Sequence, residues 1–224
     1  VNSLRSALKS HNIDAPLFVS QNDGTLMSAE FVERYPVLTF ASGPTNSMRG
    51  AAFLANSKDA MVVDIGGTTS DIGMLIAGFP RESALAVDIG GVRTNFRMPD
   101  VLAIGLGGGS IVRGNDEVTV GPDSVGYELT TRALVFGGDT LTATDIAVAA
   151  GHADIGERAA VAHLDAGLVR RALYEIQRML DEAVDRTKTA AGDLPVVLVG
   201  GGTVLVSRPI KGTSEMIVPE NAGT

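Results

Sequence analysis

Cysteine is absent from the 224 residues. That excludes a disulfide framework, a zinc–thiolate site and a cysteine nucleophile, and it allows a reducing compartment. Tryptophan is also missing and aromatic residues reach only 4%, which speaks against an aromatic binding surface. Basic residues are scarce, 18 against 26 acidic ones for a net charge of −8, a balance that argues against nucleic acid or an anionic membrane surface as partner. No apolar run approaches the roughly 20 residues of a membrane-spanning helix, and no stretch reads as a signal peptide. The expectation is a cytoplasmic protein. With 45% hydrophobic residues it can bury a sizeable core.

What the chain has in abundance is glycine, 27 residues in clusters, and one cluster organises the rest: A-M-V-V-D-I-G-G-T-T-S-D-I-G at 60–73. Ala60 to Val63 is too short for a helix and rich in β-branched residues, so it reads as a buried strand ending at Asp64. Gly66 and Gly67 carry no Cβ and can take φ > 0, which lets their amides approach an anion, while Thr68, Thr69 and Ser70 offer hydroxyls. Asp64 and Asp71 place two carboxylates beside this turn, where a hydrated Mg²⁺ bridging to phosphate oxygens would be held. The same residues suit a plain hairpin, since Asp-x-Gly-Gly is good turn chemistry and Ile72 to Ala77 makes a second strand. Spacing alone leaves both readings open.

In chain order, Leu4 and Leu8 mark 1–12 as the end of a helix whose start lies outside this chain. Ala15 to Ser20 is a strand candidate, 21–24 a turn, and Ser28 caps a short helix that Pro36 ends. Residues 40–55 join a Ser42-Gly43-Pro44 loop to a helix whose Gly50, Ala51 and Ala52 permit close packing; the loop either faces a ligand or only connects. Strands are expected at 84–89 and 101–105, separated by a Gly90-Gly91 turn and 93–99, followed by a hairpin over 111–120. A second cluster, Gly105 to Ser110, is a weak signal alone. Residues 121–138 look like an irregular excursion, either a substrate-facing loop or a disordered tip. Thr142 or Thr144 then caps a short helix through Ala150.

Apolar residues at three- and four-residue intervals, among them Leu168, Ala172, Ile176, Leu180 and Val184, predict a helix over 166–190 with Asp165 as N-cap and Gly192 as its stop. Its Arg170, Arg171, Glu175, Arg178, Asp181, Glu182 and Arg186 are expected to form a solvated face. The last cluster, L-P-V-V-L-V-G-G-G-T at 194–203, is a buried strand with a triple-glycine turn, where a flat ligand can approach the backbone. His11, His152 and His163 stand in polar contexts and are expected to be exposed.

The order of these pieces is that of one half of an actin-like ATPase: an α/β, ribonuclease H-like unit in which a mixed sheet, with the 60–77 hairpin central, carries flanking helices. The wording is more specific. A-P-L-F-V-S-Q-N-D-G-T-L-M-S-A-E at 15–30, S-G-P-T-N-S-M-R-G-A-A-F-L at 42–54, V-V-D-I-G-G-T-T-S-D-I-G at 62–73, I-G-L-G-G-G-S-I at 104–111, G-P-D-S-V-G at 121–126 and L-V-G-G-G-T at 198–203 resemble the hydantoinase/oxoprolinase family, specifically the central region of its hydantoinase A-type members, over nearly the whole chain.

The resemblance implies an ATP-dependent amidohydrolase that opens a cyclic amide such as N-methylhydantoin or 5-oxoproline, phosphorylation of the ring carbonyl oxygen activating the carbon for attack by water. It implies ATP and Mg²⁺ as cofactors, with Gly66, Gly67, Thr68 and Thr69 at the phosphates and Gly200, Gly201 and Gly202 at the adenosine. Asp64 would hold the metal and serve catalysis. Asp71 would be a second metal contact or would orient a nucleophile, with a purely structural turn cap as the other reading. Two different classes stay open, the ATP-handling subunit of a ketone carboxylase-type complex and a non-catalytic relative acting in assembly; a sugar or acyl kinase on the same fold fits the Ser-Gly-Pro wording less well. The chain departs from the family pattern at 129–138 and at Leu102, where a histidine is common, so the resemblance does not specify the substrate. It also implies an excised hydantoinase A-type domain, inactive alone, whose partners are the rest of a longer chain and a hydantoinase B-type subunit. Within it, 1–56 and 166–224 would pack on the 60–120 sheet, and 121–150 would be an excursion.

Overall fold

The computed structural model describes residues 1–83, 87–89, 92–94, 98–189 and 192–223. Helix α1 (Asn2–Ser10) precedes an antiparallel pair, β1 (Phe18–Ser20) and β2 (Leu26–Ser28), and the short α2 (Ala29–Arg34). Ser28 caps α2 as expected, its hydroxyl accepting from the Phe31 amide at 3.3 Å. Helix α3 (Ser42–Leu54) takes Ser42, Gly43 and Pro44 into its own first turn, a position Pro tolerates because it needs no amide there.

The centre is a six-stranded mixed sheet. Its strands are β3 (Ala60–Ile65), β4 (Ser70–Ile76), the two-residue β5 (Phe79–Pro80), β8 (Val101–Ile104), β11 (Leu194–Val199) and β12 (Thr213–Ile217). The path runs β12-β11-β3-β4-β5, with β8 also paired to β4. Strand β11 lies parallel to β3, Val199 opposite Asp64, whereas β4 returns antiparallel. Both faces of β3 are covered and only Asp64 among its residues is not fully buried, which is why the strand reads as a continuous apolar run. Met61, Val63 and Ile65 pack in the main core with Ala172, Ile176 and Leu180 of the long helix α6 (Ala166–Thr187). Ala60 and Val62, pointing the other way, meet Met48 and Ala51 of α3.

Smaller elements are inserted between these. Strands β6 (Val87–Ile89) and β7 (Val92–Thr94) pair with each other; the expected Gly90-Gly91 turn and residues 84–86 of the expected strand lie outside the described residues. The neck of this excursion is closed by backbone bonds, from the Ser83 amide to the Met98 carbonyl and from the Asp100 amide to the Arg81 carbonyl, both 2.7 Å. The Arg81 side chain ties the neck to the end of α6, donating to Asp100 at 2.7 Å and to the Thr187 carbonyl at 3.2 Å. Strands β9 (Ser110–Arg113) and β10 (Thr119–Ser124) form the expected hairpin.

Three further expectations change. Residues 121–124 continue β10, and 125–138 carry 3-10 turns around α4 (Leu129–Arg132), so the stretch is not a free tip: Val125, Ala133 and Val135 are buried. The following helix α5 (Ala143–Ala149) closes that small core through Val148 and the main one through Ile146. Thr142 caps it in a capping box with Asp145, whose carboxylate also accepts from the Val135 amide at 2.8 Å. Helix α6 ends at Thr187 rather than 190, because Lys188 turns extended and its ammonium is held by the Gly212 carbonyl at 2.6 Å. Finally, Asp181 is not on the solvated face of α6 but buried, accepting from Gln177 at 3.1 Å, the Lys211 amide at 3.0 Å and Arg208 at 2.8 Å. Elsewhere on that face Arg178 pairs, as expected of solvated charges, with Glu175 at 2.6 Å and with Glu182.

Candidate functional site

The turn from β3 to β4 is closed by a bond from the Gly66 amide to the Thr69 carbonyl at 2.9 Å. A second glycine cluster is bolted onto it: the Gly108 amide donates to the Gly66 carbonyl at 3.0 Å and the Gly109 amide to the Gly67 carbonyl at 2.6 Å. A Cβ on Gly107 would stand 2.6 Å from the Gly67 carbonyl carbon and the Thr68 nitrogen, so the two turns meet only because that side chain is missing. Thr144 anchors the assembly from α5, its amide and hydroxyl both reaching the Gly108 carbonyl at 2.9 Å. Among the described residues the amides of Gly67 and Thr68 donate to no backbone group. With the Gly66, Gly67 and Thr69 carbonyls occupied and the Gly67 and Thr68 amides without a backbone acceptor, the turn keeps two free donors, the kind of group that attracts an anion. Thr68 and Thr69 are exposed at its tip.

At the root of the hairpin Asp64 and Asp71 are direct cross-strand partners, so both lie on the α3 face of the sheet. Neither has an ion-pair partner among the described residues. Burial, and after it the Asp64 charge, push the Asp71 carboxyl above the ordinary aspartate range. The described residues contain no group of three or more His, Cys, Asp or Glu able to hold a metal. A cation bridging this pair would therefore take the rest of its coordination from water and phosphate oxygens, the mode Mg²⁺ prefers.

The triple glycine straddles the end of the sheet. Gly200 takes φ +87°, and a Cβ there would sit 2.5 Å from an Asp64 carboxylate oxygen; it lines a cavity of about 440 Å³ with Asp64 and the α3 residues Asn46, Ser47 and Gly50. Gly201 and Gly202 line a second pocket of about 210 Å³ together with Gly66, Gly67 and Gly108, walled by Leu129 and Ile155. The predicted residues thus come together in two neighbouring cavities rather than one, Asp64 and Gly200 in the first, the four glycines in the second. Thr68, Thr69 and Asp71 line neither. Asn46, Ser47 and Gly108 were not singled out by the sequence; their signals were the Ser-Gly-Pro helix and the second glycine cluster. Leu102 packs against the main core, and His11, His152 and His163 are exposed.

No helix among the described residues is long and apolar enough to cross a membrane. The chain is 30% identical over 131 residues to the acetophenone carboxylase gamma subunit of Aromatoleum aromaticum, covering 56% of this chain and 18% of that protein. Its fold matches a nucleotide-free structure of acetone carboxylase, with a TM-score of 0.73 at 19% identity, covering 99% of this chain and 36% of the other. It also matches an ATP-dependent caprolactamase from Pseudomonas jessenii, with a TM-score of 0.71 at 21% identity over 98% and 37% of the two chains. The chain accordingly spans less than a fifth of that curated relative and little more than a third of these structures. The model of the hydantoinase/oxoprolinase family matches residues 1–193, and the chain belongs to that family.

Proposed function

We propose that this chain is the nucleotide-handling domain of an ATP-dependent enzyme that opens a cyclic amide, built as one half of an actin-like ATPase. The observation that carries the reading is the convergence of the free Gly67 and Thr68 amides, the bare Gly201-Gly202 backbone and an unpaired carboxylate pair at one end of the sheet. In this reading the two amides and the Thr68 and Thr69 hydroxyls bind phosphate oxygens, and the glycines at 200–202 admit the flat face of the adenosine. The role of the chain is positioning and charge rather than covalent chemistry, as phosphoryl transfer requires. Asp64 and Asp71 would hold Mg²⁺, which when bound neutralises charge on the transferring phosphoryl group.

A second reading is the ATP-handling part of a ketone carboxylase-type complex, favoured by the identity with the acetophenone carboxylase gamma subunit. ATP turnover by the full-length protein, assayed against hydantoins, 5-oxoproline, lactams and small ketones with and without bicarbonate, separates the two. Cyclic-amide-dependent ADP release supports the first reading. Release that needs both a ketone and bicarbonate moves the assignment to the second, and no turnover with any of them rejects both.

A further inference from the structure

We propose that a cleft between α5 and α6, separate from the cavities at the end of the sheet, binds a small organic carboxylate with an apolar body. The cleft holds about 520 Å³ and shares no residue with either cavity at the end of the sheet. Its walls are aliphatic: Ala149, Val161, Ala162, Leu164, Val169 and Leu173. Its charged lining is entirely basic, Arg158 from the 3-10 turn at 158–161 and Arg170 from the second turn of α6, with His152 at the rim.

The chemistry of the ligand follows from what these arginines lack. Neither makes an ion pair or a hydrogen bond among the described residues, although acidic side chains outnumber basic ones in the chain. The carboxylate that caps α6, Asp165, is turned to the Leu168 amide at 2.9 Å and toward Arg171 at 3.9 Å. Among the described residues no Asp or Glu lines the cleft. Ala166, the first residue of the 22-residue α6, also lines it, so the positive end of the helix dipole adds to the two guanidinium charges. Two forks that suit a carboxylate, lining the same cleft as aliphatic walls in a volume typical of small-molecule sites, select an anion carrying a hydrocarbon body. An anion without such a body would leave the walls wet, and a neutral hydrocarbon would leave the two exposed guanidiniums to water alone.

The test is calorimetric titration of the full-length protein with octanoate, and with 1-octanol as the uncharged probe. Saturable octanoate binding is expected, weakened at least tenfold in the Arg158→Gln, Arg170→Gln double variant while any octanol binding stays as it was. Ala162→Trp, at an exposed position on the wall, fills the cleft and is expected to abolish octanoate binding with the thermal midpoint retained; it decides the matter should the double variant fail to fold. Absence of saturable octanoate binding, or binding that survives Ala162→Trp unchanged, overturns the proposal, as does a folded double variant with wild-type affinity.

Discussion

Asp64 and Asp71 face each other in direct register across the β3–β4 hairpin, two carboxylates on one side of a sheet with no cation paired to them among the described residues. Like charges placed opposite each other weaken a hairpin. A protein that keeps them there carries a cost that a bound cation would remove.

Asp64→Ala in the full-length protein is expected to lower ATP turnover by ~100-fold or more, the order lost when a preorganised electrostatic group is removed. The thermal midpoint should hold or rise slightly, because the removed carboxylate makes no hydrogen bond among the described residues and its charge opposes Asp71. Turnover and a thermal melt check both halves. Wild-type turnover, or a variant that unfolds, would make Asp64 a structural turn residue.

Asp71→Asn tests the electrostatics separately. Burial and the Asp64 charge hold the Asp71 carboxyl above its ordinary 3.8, so the folded state keeps that proton longer than the unfolded chain does. Ionising it therefore costs stability as pH climbs from 3.8 through the raised value. The variant should melt above wild type at pH 7, and the gain should vanish below the ordinary aspartate range. A midpoint difference that does not change with pH would contradict this.

Two glycines on touching turns should respond oppositely to alanine. At Gly107 the added methyl meets backbone at 2.6 Å, whereas at Gly67 nothing lies within 4 Å. Gly107→Ala is expected to cost ~1–3 kcal/mol by overpacking, read from urea unfolding, and Gly67→Ala less than about 0.5 kcal/mol. Nucleotide affinity should nevertheless fall in both, since the methyl at Gly67 stands where the proposed phosphate approaches.

Asp181→Ala is expected to destabilise by roughly 2–3 kcal/mol, because it strands the buried Gln177 amide and removes the acceptor for Arg208 and the Lys211 amide. Burial alone would raise the Asp181 carboxyl, but the bonds from Lys211, Gln177 and Arg208 outweigh it and hold it below its ordinary 3.8. A lowered carboxylate stabilises above its unfolded value, and that contribution is lost as pH falls through the folded one. Acid should therefore cost the wild type more than the variant, a difference that denaturant titrations at pH 5 and pH 2.5 resolve.

The main elements were legible because their signals are local. The β-branched run at 60–63, the Asp165 cap and the period of α6 each specify an element without reference to the rest of the chain. What the sequence hid was contact between distant segments. Gly107 looks like any loop glycine until Gly67 is laid against it, and Asp181 reads as surface charge because its partners Arg208 and Lys211 lie beyond the next strand. Residues 125–138 show no period because each 3-10 turn there is only three residues long, too short to display one, yet Ala133 and Val135 are core residues. The glycine clusters and two aspartates of the candidate site stand out in the sequence; their division between two cavities does not, since that depends on Gly200 turning at the sheet end.

The neck at 81–83 and 98–100, closed by its own backbone pairs and braced by Arg81 against the end of α6, makes the sheet indifferent to what is threaded between its two sides. Each doubling of the length between them adds only about 0.6 kcal/mol of closure entropy. The position is thus a natural port, where a segment can be lengthened or grafted by design with β4 and β8 still finding each other.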